Sequence, residues 1–252
     1  MGPELISDFA LAAVATVVGL FIGAVGVGGV LMVSFLALFG GLGIHQAAAT
    51  SLFSFLFTGV LGTWLFQRRG TIAWRLTLPV CAGALAFGYA GAFAAARIDA
   101  RPLAILIALV IVGAGAYIFV PMRQAHGYRN GRGWREQLML AGVGAASGFG
   151  SGLSGAGGPL FSVPIMVILR YAPLAAVGTS QVLQIIAAAS GSLGNLGRGF
   201  IDWRLAALVT AFELAGVMLG VRLAHAVSQL ALRRLAGALC LAIGGLMLAR
   251  SL

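Results

Sequence analysis

Charge is what this chain has least of. Only 9% of its 252 residues are charged, six are Asp or Glu, and lysine is absent, so all sixteen basic residues are arginine. A soluble domain carries about a quarter charged residues, and this chain has too few to coat a water-facing surface. Cysteine is almost as scarce. Cys81 and Cys240 stand far apart inside apolar runs, with no CxxC or Cys/His spacing. That excludes a disulfide framework and a structural metal site, and both thiols are expected to be buried and inert. No metal or cofactor is implied. The opening residues MGPELISDF hold Glu4 and Asp8 but no basic residue, so they lack a signal-peptide start and the first apolar segment is expected to be retained.

What is abundant is apolar: 60% of the residues, in runs over about 9–40, 47–67, 76–96, 103–121, 138–169, 173–194, 205–224 and 230–249. Runs of about twenty span the roughly 30 Å of bilayer hydrocarbon. Unbroken rather than alternating runs mean helices and not barrel strands. The expectation is an all-α polytopic integral membrane protein with about eight transmembrane segments, its surroundings a lipid bilayer. A net charge of +10 would suggest nucleic acid in a soluble protein. Here the arginines lie mainly between apolar segments, where they fix orientation, so no nucleic acid partner is implied. The longest polar stretch holds Arg123, His126, Arg129, Arg132 and Arg135. It reads as a cytoplasmic linker over 122–137, between a first repeat at 9–121 and a second at 138–250.

The repeat is legible without a gap. A shift of 129 positions carries GAVGVGG at 23–29 onto GLSGAGG at 152–158, Gly19 onto Gly148, Thr50-Ser51 onto Thr179-Ser180, and Trp74-Arg-Leu76 onto Trp203-Arg-Leu205. Both glycine runs interrupt the first apolar segment of their half. Thirty-one residues of helix would extend about 46 Å, too long for one upright span and too short for two full ones. The segment is therefore a tilted, broken helix or a hairpin of two shorter helices. One crossing gives parallel repeats and a hairpin gives inverted ones. The arginine distribution does not discriminate, while broken helices at repeat interfaces favour the inverted plan.

Glycine costs a helix interior about 1 kcal/mol relative to alanine, so four or five within ten residues break it. In lipid, freed backbone is tolerated only inside protein or beside a water-filled cavity, and paired breaks point to a midplane site. Helix N-termini there offer bare N–H groups and positive dipole ends, which suit an anion. Thr50, Ser51, Thr179 and Ser180 add hydroxyls, and Gln181 and Gln184 follow at helical spacing; close helix packing is the alternative use of scattered glycines such as Gly83 and Gly91, and interhelical bonding that of the amides.

GVGGVLMV at 26–33 and GAGGPLFSVP at 155–164 resemble the duplicated glycine-rich signature of the sulfite exporter TauE/SafE family. Each is followed by a small-residue stretch ending in Thr-Ser and then by Arg-Gly-x-Ile-x-Trp-Arg at 69–75 and 198–204. The resemblance implies a permease of the bacterial plasma (inner) membrane for a small anionic substrate such as sulfite or an organosulfonate, its site shaped by Gly26, Gly28, Gly29, Gly155, Gly157 and Gly158 near the two Thr-Ser pairs. One departure is plain: Pro159 and Pro164 stand where the first half has Val30 and Phe35, so the first break is expected to bend less sharply.

Glu213 is the one acid deep in an apolar segment. A charge at the bilayer centre costs about 2.5–3.5 kcal/mol, so Glu213 either relays protons for coupled transport or stays protonated and ties helices together. Arg69 and Arg198 read as orientation anchors, His45 and His225 as interfacial, and Trp64, Trp74 and Trp203 as an aromatic belt. The rivals to a carrier are a passive anion channel, an assembly subunit, and an intramembrane serine protease resting on Ser154 within GxSG, the last needing a histidine to activate it. No enzyme activity is expected. Apolar surface facing lipid and apolar surface facing a partner look alike, which leaves oligomeric state open, a homodimer included.

Overall fold

The computed structural model describes residues 3–26, 28–119, 133–196, 199–226 and 229–251. Most of the expected linker, Arg198, Ser228 and the side chain of His225 lie outside the described residues. Among the described residues every regular element is a helix: α1 (Pro3–Val25), α2 (Gly29–Leu38), α3 (Ile44–Arg68), α4 (Trp74–Ala95), α5 (Ala100–Ile118), α6 (Trp134–Ser154), α7 (Pro159–Ile168), α8 (Pro173–Leu196), α9 (Trp203–Ala226) and α10 (Gln229–Ser251). The polar start of α6 belongs to the helix rather than to a connecting stretch, and Tyr171 donates to Glu136 there at 2.8 Å.

Ile44–Arg68, Trp74–Ala95, Ala100–Tyr117, Pro173–Leu196 and Trp203–Leu223 are long and apolar enough to cross a membrane, and shorter apolar helical stretches cover Ala10–Val25, Gly29–Leu38, Pro159–Ile168 and Gly237–Ser251. The outer surface fits the same medium. Leu78, Leu85, Phe87, Leu109 and Leu193 are exposed, large apolar side chains that a lipid surrounding accepts without cost. Trp64, Trp74 and Trp203 also face outward, with the Arg68 guanidinium 4.5 Å from the Trp64 ring, as amphipathic rings do at a membrane boundary.

The hairpin alternative holds for both first segments. In a continuous helix residues 18 and 28 would be about 15 Å apart, yet a Cβ on Gly28 would lie 2.7 Å from the Val18 carbonyl oxygen. The second half turns back likewise, with the Phe161 ring 2.8 Å from where a Cβ on Gly150 would be. Ten residues of α2 or α7 rise about 15 Å, half the hydrocarbon thickness.

Glycine sets the long-helix packing. α1 lies along α9 and α4 along α6. Gly19 and Gly23 meet the backbone of Glu213 and Val217, while Gly144, Gly148 and Gly152 meet Val80, Ala84 and Gly88. Contacts that advance together in sequence make each pair parallel. Backbones approach this closely only where Cβ is missing, the small-residue packing of membrane helices. Gly83 and Gly91 are used the same way, against Ala141 and Phe149, as expected for scattered glycines. α3 and α8 are antiparallel: Gly62 meets Gln181, Gly59 meets Ile185, and Gly191 meets Leu52.

The packing makes a prediction with an internal control. A methyl on Gly144 would collide with the Val80 carbonyl oxygen, whereas one on Gly142 meets nothing within 4 Å. Gly144→Ala is expected to cost about 1–3 kcal/mol and lower the unfolding midpoint in detergent by several degrees. Gly142→Ala should hold or raise it, since alanine is the better helix former. Equal midpoints for the two variants would mean that close backbone approach does not hold α4 to α6.

Candidate substrate site at the paired helix breaks

The first break opens where α1 ends at Val25 and Gly26 takes a left-handed φ of 75°. α2 starts at Gly29, capped by Gly28 without a side-chain hydrogen bond. The second has two left-handed glycines, Gly155 (φ 67°) and Gly157 (φ 81°), before α7 starts at Pro159 behind Gly158. Left-handed backbone costs any residue with a Cβ about 1–2 kcal/mol, which is why glycine occupies these three positions. The leading glycines Gly23 and Gly152 pack against α9 and α4 instead. Each run thus divides between helix packing and chain reversal.

The breaks touch. A Cβ on Gly29 would collide with the Ala156 carbonyl oxygen and come within 2.9 Å of the Phe55 ring. Corresponding positions on Gly26 are 3.5 Å from Ser180 Oγ and 3.6 Å from Pro159, and those on Gly157 are 3.4 Å from Phe55 and 3.9 Å from Gln184 Oε1. Gly158 rests against Leu183. All six break glycines named by the sequence are buried. The first N–H groups of a helix have no intrahelical partner, so the start of α2 brings to the junction amides of Gly29 and Val30 that the helix itself does not use. Pro159 has no N–H to offer, so α7 presents fewer.

The predicted polar residues divide between this junction and the helix seams. Ser180 is at the junction, its hydroxyl donating to the Val177 carbonyl at 2.7 Å. Gln184 crosses from α8 to α3, its Nε2 donating to the Phe55 carbonyl at 3.1 Å and to Thr58 Oγ1 at 2.8 Å. Gln181 donates to the Ile22 carbonyl at 3.2 Å in the last turn of α1. Its Oε1, like Ser51 Oγ, is buried without a hydrogen bond. The hydroxyls of Thr50 and Thr179 bond to helix starts. Thr50 Oγ1 accepts from the Asp202 N–H (3.0 Å) ahead of α9, and Thr179 Oγ1 lies 3.0 Å from Thr77 Oγ1 in α4.

Glu213 is fully buried in α9. Ser54 Oγ is 2.8 Å from both the Ser51 carbonyl and Glu213 Oε2, so one hydroxyl proton faces two acceptors, while Glu213 Oε1 makes no hydrogen bond. Ser54 and Thr58 carry no signal of their own in the sequence, and Phe55 is legible there only as the apolar counterpart of Gln184. Phe55 stands 129 positions before Gln184, and that register was the signal available.

Other expectations resolve into structure. Arg69 Nη1 donates to the Val221 carbonyl at 2.7 Å, a cation near a helix C-terminus. His45 Nε2 sits 3.3 and 3.0 Å from the carbonyls of Ala95 and Ile98, joining the start of α3 to the end of α4. Ser154, the one candidate nucleophile, donates to the Gly150 carbonyl at 2.6 Å and accepts from the Ala156 N–H at 3.3 Å, closing the end of α6.

Comparison with known proteins gives the same class. The chain is 27% identical over 236 residues to a Bacillus subtilis protein named "Probable membrane transporter protein YdhB", covering 91% of this chain and 95% of that one. No solved structure matches at a significant level. The model of the family described as "Sulfite exporter TauE/SafE" matches residues 11–247. Paired glycine breaks within a bundle of apolar helices, together with a family match over almost the whole chain, place this protein in the sulfite exporter TauE/SafE family of membrane transporters.

Proposed function

We propose that the chain is a carrier for a small oxyanion, sulfite or an organosulfonate, which binds between the two breaks near the middle of a bacterial inner membrane. The observation that carries this reading is the contact of the two interruptions, where the amide-bearing start of α2 meets the Ala156 backbone under Phe55. Helix N-termini favour negative charge without a cationic side chain. The Phe55 ring and Leu183 cover the junction, an occluded arrangement that suits alternating access better than an open pore.

Residues 9–121 and 138–250 act in this proposal as inverted repeats. Three contacts support it. Gly19 against Glu213 has its mirror in Gly148 against Ala84, and Gly62 against Gln181 has its mirror in Gly191 against Leu52, the partners exchanging halves at an offset of 129. Gln184 bonds to Phe55, its own counterpart. A residue that touches its counterpart on an antiparallel helix marks a two-fold axis across the helices, hence in the membrane plane. The ends that carry Arg68, Arg69, Arg75, Arg135, Arg170 and Arg222 then share one face, which the positive-inside rule makes cytoplasmic. Glu213 carries the coupling proton. When protonated it donates to Ser54, which frees the Ser54 hydroxyl for the Ser51 carbonyl and settles the count of two acceptors for one proton.

The test is uptake by purified protein in liposomes of sulfite, sulfoacetate and thiosulfate, against sulfate, phosphate and a cation. Saturable uptake of one of the first three, with counterflow, is expected. Transport of the cation alone would overturn the anion assignment, and single-channel currents without counterflow would replace the carrier with a pore.

A further inference from the structure

We infer that the outer approach to the breaks runs along α2, from a basic mouth at Arg101 and Arg250 through a constriction made by Ser34 and Met247. This rests on the proposed carrier function and adds the route. A cavity of about 510 Å3 opens where the end of α2, the starts of α3 and α5 and the end of α10 converge, and among the described residues its lining holds Arg101 and Arg250 and no acid. Both cations are held in place. Arg101 Nε donates to the Ser251 carbonyl at 2.9 Å, and the Arg250 guanidinium lies 5.8 Å from the Phe39 ring. The remaining wall is largely apolar, including Leu38, Leu42 and Ala104. A basic opening with apolar walls concentrates small anions and repels cations.

Met247 belongs to the cavity lining and is itself buried. Ser34 Oγ approaches its sulfur at 3.6 Å and also donates to the Val30 carbonyl at 3.1 Å. Ser34 is five residues from Gly29, about 7.5 Å along α2. About one and a half helical turns therefore separate the cavity floor from the junction of the breaks. The barrier is a weak hydrogen bond to a thioether on a flexible side chain, which can swing aside at small cost. In the inverted layout this mouth opens opposite the arginine-rich face.

The experiment is one-sided labelling in sealed liposomes, with Cys81→Ala and Cys240→Ala as background. Ser34→Cys is the reporter, Met247→Cys a second one should the first not fold, and Leu78→Cys the lipid-facing control. Membrane-impermeant anionic and cationic thiosulfonates are the probes. Ser34→Cys is expected to react from the mouth side only, several-fold faster with the anionic reagent, and to be protected by methanesulfonate. Arg101→Gln with Arg250→Gln should erase the anionic preference, while Leu78→Cys stays inert. Inert reporters at both positions in protein that still transports would overturn the route and leave the carrier standing. Equal rates for the two reagents would overturn the basic mouth. Labelling blocked only in phosphatidylglycerol-rich liposomes would assign the cavity to a lipid headgroup and overturn the route. Labelling needs no transport, so correct labelling without uptake of any anion would count against the carrier and not against the route.

Discussion

Gly29→Val is expected to abolish anion transport while the protein still inserts and purifies as a single species. Its side chain would strike the Ala156 carbonyl and crowd the Phe55 ring, which is 2.9 Å from the Cβ position alone. The two breaks must then separate. An overpacking penalty of about 3 kcal/mol on the touching arrangement is about a hundredfold in its population, which removes the occluded state from the transport cycle. Gly157→Val should fail as completely for another reason. Its nearest neighbour is at 3.4 Å, so there is room, but a φ of 81° excludes a β-branched residue. Gly43→Ala is the control, with no neighbour within 4 Å and an ordinary backbone. Uptake by proteoliposomes reads all three. Wild-type rates for both valine variants would place the site elsewhere.

Glu213→Gln is expected to abolish the response of transport to an imposed pH gradient while sparing anion counterflow. The amide matches the carboxyl in shape and keeps a polar atom for Ser54, which now lies 2.8 Å from Glu213 Oε2, but it cannot gain or lose a proton. A buried carboxylate with no cationic partner among the described residues is costly in a membrane, and under the proposed coupling the empty and loaded carrier differ by a proton at this position. Accumulation driven by a pH gradient should fall at least about tenfold, the equivalent of about 1.4 kcal/mol, with thermal stability near wild type. An undiminished gradient response would reduce Glu213 to a helix tie.

Class and break positions were legible because both rest on composition and covalent preference. Too few charges for a water-facing surface and glycine at left-handed positions need no tertiary knowledge. The splitting of each first segment was less so: a run of about thirty apolar residues reads alike as a tilted helix or a hairpin, and the choice depends on whether Gly28 returns to Val18. The hydroxyls show the limit of a duplicated motif. Thr50-Ser51 and Thr179-Ser180 share a spacing, yet Ser180 lies against the break glycine Gly26 while both threonines hold helix starts. Spacing along one helix fixes a face, not the neighbour that meets it. Glycine is ambiguous in the same way. Gly23 and Gly26 belong to one run, but one packs against Val217 and the other turns the chain.

Crystals grown with selenite, a heavier analogue of sulfite, address the anion site most directly. The account predicts an anomalous selenium peak between Gly26–Gly29 and Gly155–Gly158, within hydrogen-bonding distance of the first amides of α2, and lost in Gly29→Val. Selenite bound elsewhere in protein that transports it, with this junction closed and unoccupied, would contradict the account.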